Sequence, residues 1–463
     1  MNAPLLWIGL PFLLAIVFFF LRDRPVFTSV VPGLACLFFS GLAFVLPVGE
    51  TIDLGLFDFE IATTMQMLGR RFVIDSSDIN IVAFLYLFAA LWFLGASVAR
   101  THRYFSAFGM AIISFFVAAL SVEPFLYAAL LIEIAMLFSV PMLVPMGKQA
   151  GLGLQRYLIF QTLGMVFILF AGWAMSGVEA NPANERLLLQ SVVLVSVGFA
   201  FWLAVFPFYT WVPMMVEETH PYIAGFILSM QPTVVLLLML KYMDTYSWLR
   251  NFELLPQALQ LTGMIMVVTG GAWAAFQSDL RRMFGYAVII ESGFSIIALA
   301  MQSEVGYQIY VSMFLPRLAA YIVWALAMSI LARETTADLR GIRGMLHHYP
   351  FVSSALLLSM FSLSGLPLLA GFPARLTLFE NLTAAPVLLA LWVFIGNAGF
   401  LLACVRVLAA LTRFGEETWQ VDETWQDAIL LIGGIAGLFV LGIFPRFFSD
   451  GVLALLNSFT RLF

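Results

Sequence analysis

Five ionisable side chains stand inside long apolar runs: Glu133, Glu291, Arg317, Arg375 and Arg406. A charge at membrane depth is costly unless a partner or water meets it, so each is a candidate functional position. The chemistry open to the two glutamates is uptake and release of a proton, since burial raises a carboxyl pKa and a nearby cation lowers it. Arginine biases that balance but does not relay protons, because a guanidinium stays protonated in proteins. A static buried ion pair is the alternative reading for both glutamates. Arg406 also fits a side chain that snorkels to the membrane interface. Lys148 and Lys241 fall at the ends of apolar runs and read as interfacial anchors. His102, His220, His347 and His348 lie in or beside loops, and His347-His348 fits either a point of proton uptake or ordinary solvated histidines.

The elements that must position these groups follow from composition. Of 463 residues, 62% are hydrophobic and 11% charged, with a net charge of −5. That balance selects lipid as the solvent, and in lipid the long apolar runs must be helices whose backbone bonds close within each segment. The fold class expected is all-α, a polytopic membrane protein of about fourteen spans. The runs lie near 4–21, 27–49, 79–98, 104–122, 125–146, 155–176, 187–213, 221–242, 256–277, 283–301, 305–332, 350–376, 384–410 and 426–446. The first lacks the charged lead and the cleavage site of a signal peptide and reads as a span. The one sizeable polar connection, 50–78, suits a short hairpin outside the membrane.

Cys36 and Cys404 sit within apolar runs and read as small hydrophobes. No zinc spacing, phosphate-cradling glycine loop, dinucleotide fingerprint or nucleic-acid patch is present, so no cofactor, metal, nucleic-acid partner or catalysis by this chain alone is expected. Lys and Arg gather in the loops after odd-numbered spans, which places both termini on the outer side of the membrane. Two spans are interrupted. The seventh contains Pro207 and Pro213, and the twelfth contains Gly365, Pro367, Gly371 and Pro373. Broken helices in corresponding positions point to inverted repeats, with ordinary proline kinks as the alternative. The division expected is 1–103 (three leading helices with the outer loop), 104–242 and 256–410 (two inverted five-helix repeats), and 426–463 (the last span and a tail).

In order and spacing, several short runs resemble a known family. Leu68-Gly69-Arg70-Arg71-Phe72-Val73-Ile74-Asp75 is similar to its lead-in, and Pro207-Phe208 with Trp211 and Pro213 to its P-F-H-x-W-x-P signature. Asp279-Leu280-Arg281-Arg282-Met283-Phe284-Gly285-Tyr286 resembles N-L-K-R-x-x-A-Y. Asp338-Leu339-Arg340-Gly341, Ser362-Leu363-Ser364-Gly365-Leu366-Pro367 and Gly371-Phe372-Pro373-Ala374-Arg375 resemble the runs around its twelfth span, and Leu441-Gly442-Ile443-Phe444-Pro445 its last-span ending. The family is that of the antiporter-like, proton-translocating membrane subunits of respiratory complex I, membrane-bound hydrogenases and multisubunit cation/proton antiporters. The chain is most similar to the N-type complex I subunit, because it stops too soon after the last span to form the long lateral helix of the L-type.

The resemblance implies a charged axis at the membrane centre, built from a fifth-span Glu, seventh- and eighth-span lysines and a twelfth-span Lys or Glu. Charge changes along it would couple quinone-linked redox chemistry elsewhere to proton movement here. Carried over, the seventh-span Lys falls on Trp202 and the eighth-span Lys on or near Pro232. The fifth-span Glu falls on Met136, with Glu133 one turn away. The twelfth-span position falls on Arg375, a tenth-span His position on Glu291, and an eleventh-span Lys on Arg317. The expected function is therefore a subunit of a redox-driven proton-translocating assembly with a Lys-poor path through Glu133, Glu291 and water, tuned by Arg317 and Arg375. A non-conducting scaffold, or a subunit of a non-redox ion or inorganic-carbon uptake complex, is the alternative. The partners implied are other membrane subunits, the bilayer, and protons or another cation, in a prokaryotic cell membrane.

Overall fold

The computed structural model describes residues 2–53, 58–67, 69–144, 147, 149–180, 184–382, 386–413 and 421–462. In chain order the helices are α1 (Leu10–Phe20, led in by Leu5–Gly9), α2 (Val30–Val45), α3 (Ile79–Leu94), α4 (Phe105–Ser121), α5 (Ala128–Leu143), α6 (Leu152–Ala180), α7 (Glu185–Trp202), α8 (Trp211–Glu218), α9 (Pro221–Thr245) and the short α10 (Ser247–Arg250). They continue as α11 (Leu255–Phe276), α12 (Leu280–Ala300), α13 (Glu304–Ser312), α14 (Phe314–Glu334), α15 (Pro350–Ser364), α16 (Phe372–Leu382), α17 (Val387–Leu411), α18 (Trp425–Ile443) and α19 (Arg446–Leu453). Among the described residues nine helices are long and apolar enough to cross a membrane and five shorter apolar helices join them. Together these are the fourteen spans expected.

The polar connection forms two small antiparallel sheets. β1 (Thr51–Asp53) pairs with β2 (Asp58–Glu60), and β3 (Thr64–Met67) with β4 (Arg70–Val73), which also pairs with β5 (Val122–Glu123). The seventh and twelfth spans are broken as expected, into α7 and α8 and into α15 and α16. The eleventh, expected as one run over 305–332, is also divided, by a turn at Met313 between α13 and α14. Pro316 accounts for it, since its missing N–H cannot bond back across that turn. Pro232, in contrast, lies inside an unbroken α9.

A helix apolar on every side suits either the bundle interior or the lipid, so packing decides which spans are central. α9 and α12 are central, buried along their whole apolar length, whereas α6, α7, α11, α17 and α18 turn much of their surface outward to lipid. A polar group midway along α9 or α12 is thereby placed at the centre of the bundle. α12 packs against α8, α11, α9, α14 and α17, and α14 packs against α9, α15 and α18.

Both termini lie on one face. Asn2 bridges to Ala62 beside the sheets, and the C-terminal residues cross the same face. Asn80 donates to the Ala454 carbonyl at 3.1 Å and Ser458 to that of Ser77 at 2.7 Å. The Arg461 N–H reaches Asp244 at 2.7 Å. The opposite face holds the ion pairs Arg103–Asp23, Arg333–Asp427 and Arg282–Glu217. Arg406 belongs there too: it donates to the carbonyls of Ala275 and, at 2.9 Å, Gln277, capping the end of α11.

Lys241 is not the interfacial anchor its position suggested. Its ammonium is buried, 3.0 Å from Asp78 and donating to the Leu120 carbonyl at 2.6 Å, so it ties α9 to the start of α3 and the end of α4. An anchor would point to headgroups; here a carboxylate and a free carbonyl at two helix ends draw the side chain inward. Lys148 lies outside the described residues.

Candidate functional site

The twelfth-span break is built by glycine. Gly365 ends α15 with φ +82°, a left-handed conformation that suits a residue without a Cβ. At Gly371 any Cβ would run into the Ser362 carbonyl oxygen. The break frees carbonyls at the end of α15, and Arg375, in the first turn of α16, turns back to meet one: its Nη2 donates to the Leu363 oxygen at 2.9 Å. The same nitrogen donates to Glu291 Oε1 across the bundle, and the guanidinium lies 3.4 Å from the Phe294 ring centroid. Arg317 reaches the same centre from α14, donating to Ser295 Oγ at 2.7 Å and Thr233 Oγ1 at 3.3 Å.

Glu291, Arg317 and Arg375 are each 4% exposed. All three line one cavity with Met313, Pro316 and Ser362, of about 10 Å³, room for roughly one water. Two guanidinium groups face one carboxylate, and Arg375 Nη1 is a buried donor with no partner among the described residues. Such a site holds surplus positive charge with an unmet donor, and it responds to any change in the charge of Glu291.

The seventh-span break is finished differently. α7 ends at Trp202, Ala204 takes φ +55°, and the chain re-enters a helix at Trp211. Trp202 Nε1 donates to the Gln161 carbonyl at 3.0 Å. Gln231, the residue before Pro232, donates to Gln161 Oε1 at 2.6 Å and approaches the Trp202 carbonyl at 3.5 Å. Both glutamines are fully buried. The positions to which the resemblance assigned lysines thus hold an indole and a proline, and the local polarity is two neutral amides.

Of the four proton-path candidates, the structure brings Glu291, Arg317 and Arg375 together and leaves Glu133 apart. Glu133 is half-buried on the flank of α5, where Thr162 donates to it at 2.6 Å. Met136, at the counted position of the fifth-span Glu, is buried beneath the Tyr157 hydroxyl. Sequence reasoning missed Gln161, Gln231, Thr233 and Ser295. Their signal was a neutral polar side chain in a helix apolar on all sides, which a search for charges passes over.

On the arginine-rich face, His220 caps α9 through Nδ1, which accepts the Tyr222 N–H at 3.3 Å. Burial and the neighbouring His102, with Arg333 adding to them against a backbone bond at Ala99, bring its pKa down to about 4. His348 is tied to Asp422, Nδ1 to Oδ2 at 2.9 Å, as a loop fastening.

With this geometry in view, comparison with known proteins is informative. The family described as NADH:quinone oxidoreductase/Mrp antiporter, TM matches residues 111–401. The chain belongs to this family. Among relatives, the NADH-quinone oxidoreductase subunit 14 of Thermus thermophilus is 25% identical over 434 residues, covering 87% of this chain and 94% of that one. Subunit N of Laribacter hongkongensis is 25% identical over 421 residues, covering 88% and 82%. The match to subunit N of Chromohalobacter salexigens, 25% identical, spans 59% of each chain. In fold, the family member resembles a chain of the Mrp complex from a Dietzia species with a TM-score of 0.83 at 14% identity, covering 99% of this chain and 97% of that one. It also resembles a chain of respiratory complex I from Thermus thermophilus with bound NADH, TM-score 0.75 at 21% identity, covering 99% of each. It is an integral membrane protein of the antiporter-like class.

Proposed function

We propose that this family member is a membrane-arm subunit of a redox-driven, proton-translocating complex, and that its charge-bearing centre is Glu291 with Arg375 and Arg317. The observation that carries this reading is the buried carboxylate shared between two broken spans, held by one arginine and within reach of a second. A carboxyl in that position takes up a proton when its guanidinium partner is drawn away and releases it when the partner returns. Ser295, Thr233 and Ser362 supply the hydroxyls that a proton needs near it. Residues 104–242 and 256–410 form the two five-helix units, the first with one broken span and the second with the broken twelfth span and the divided eleventh. The arginine-rich face is cytoplasmic, so both termini face outward across a prokaryotic cell membrane.

The neutral centre around Trp202 favours a second reading, a scaffold that seals the membrane arm without moving ions. Proton translocation by the assembled complex in liposomes separates the two. Glu291→Gln is expected to lower the protons moved per electron, and adding Glu133→Gln to change little more. Unchanged translocation in the double variant would leave the scaffold reading standing alone.

A further inference from the structure

The face that carries the termini holds a polar cavity of about 290 Å³ that shares no lining residue with the Glu291 centre. Its floor is the Lys241–Asp78 pair, with side chains 11% and 17% exposed. Directly behind the pair lies a second space of about 10 Å³ between α3, α4 and α9, walled by Ile81, Leu85 and Val117 and again touching Lys241 and Asp78. That volume admits roughly one water. The ion pair thus stands between an open polar vestibule and a water-sized space where α3 of the leading helices meets α4 and α9 of the first five-helix unit.

Burial penalises both charges of the pair, and their attraction together with the Leu120 carbonyl offsets that penalty. The other charged groups at the vestibule are Asp75 from the loop before α3, Glu123 on β5 with its partner Arg71 at 3.6 Å, Asp244 near the end of α9, and Arg461. Burial and the neighbouring Asp78 hold the Asp75 carboxyl above its ordinary range, against the pull of Lys241 and Arg71. A carboxyl so raised accepts a proton readily at the mouth of the cavity.

We propose that Lys241 and Asp78 form a proton-exchange site, passing protons between the seam of α3, α4 and α9 and the face that carries both termini. The inference rests on the proton-translocating reading above. The Lys241 ammonium gives one proton to the Asp78 carboxylate, leaving a neutral amine and a carboxylic acid. Asp78 releases that proton to water in the vestibule, and the amine recovers one from the inner space.

Lys241→Arg decides between this role and a structural clamp. Arginine keeps the ion pair and the bond to the Leu120 carbonyl but does not deprotonate. In the assembled complex in liposomes, Lys241→Arg is expected to remove the same share of proton translocation that Glu291→Gln removes, with an unchanged melting temperature. It should also flatten the dependence of translocation on the pH outside that face. Asp78→Asn should lower translocation in the same way, with a lower melting temperature because the buried ammonium loses its carboxylate. If Glu291→Gln lowers translocation while Lys241→Arg behaves as wild type in rate and pH profile, this inference is overturned and the central reading survives. If Glu291→Gln changes nothing, both fall.

Discussion

At the seventh-span break the backbone is met by Trp202 and two neutral amides, whereas at the twelfth-span break it is met by Arg375, whose charge is shared with Glu291 and set beside Arg317. Groups freed by a broken helix at depth need partners, and Arg375 meets the Leu363 carbonyl at the twelfth-span break while Gln231 approaches the Trp202 carbonyl at the seventh. The two solutions differ in what they permit. An indole and two amides keep their charge at every pH, so that centre has one electrostatic state. A carboxylate among guanidinium groups has at least two, and their balance moves with the distance between partners. The difference teaches that a break supplies the opening and the side chains that fill it decide whether the opening carries charge.

The comparison is broken most severely by removing the arginine. Arg375→Met leaves Glu291 buried without its cation and the Leu363 carbonyl without its donor, a loss of about 3–5 kcal/mol. Thermal unfolding of the purified subunit should show it, and Arg375→Met with Glu291→Gln should recover much of the loss. A single variant as stable as wild type would mean that the pair contributes nothing. Gly371→Ala comes next, at about 2–3 kcal/mol, because its methyl group forces the Ser362 carbonyl to move.

Gln231→Leu tests the neutral centre. It should cost about 1–2 kcal/mol by leaving the Gln161 amide oxygen without its donor, and proton translocation should stay as in wild type. A large fall in translocation at unchanged stability would show that the amides do more than satisfy the break. The smallest effect concerns His220 at the cap of α9. Its folded pKa, about 4, lies below the unfolded value, so the unfolded chain binds more protons. Stability is complete above the ordinary histidine range and declines as pH falls from about 6.5 toward 4, by on the order of 1 kcal/mol at pH 5. His220→Asn keeps a capping acceptor without the titration, so its melting temperature should fall less over that range.

Much of the fold was legible because lipid imposes one rule on every segment: apolar length gave the fourteen spans, and proline with glycine gave the breaks at Pro207 and Gly365. Glu291 and Arg375 were each legible as charges needing partners, but their pairing was not, since it joins positions 84 residues apart on α12 and α16. Glu133 shows the converse. Its charge marked it as central, yet helical spacing does not say which flank of α5 faces the bundle interior. Lys241 misled because proximity to a helix end does not reveal what packs over that end. The glutamines were silent because a neutral amide carries no charge to notice, although its burial without partners still costs a few kcal/mol, roughly 2–7.

Residues 454–461 cross the face that carries the small sheets, which bears on how the molecule is made. Residues near Ala454, Ser458 and Arg461 bond to the start of α3 and to α9, helices that leave the ribosome long before them. Spans inserted early therefore remain without this fastening until residues 454–461 have been made. A chain stalled or clipped after α18 would be fully inserted and topologically correct, yet unlatched on one side.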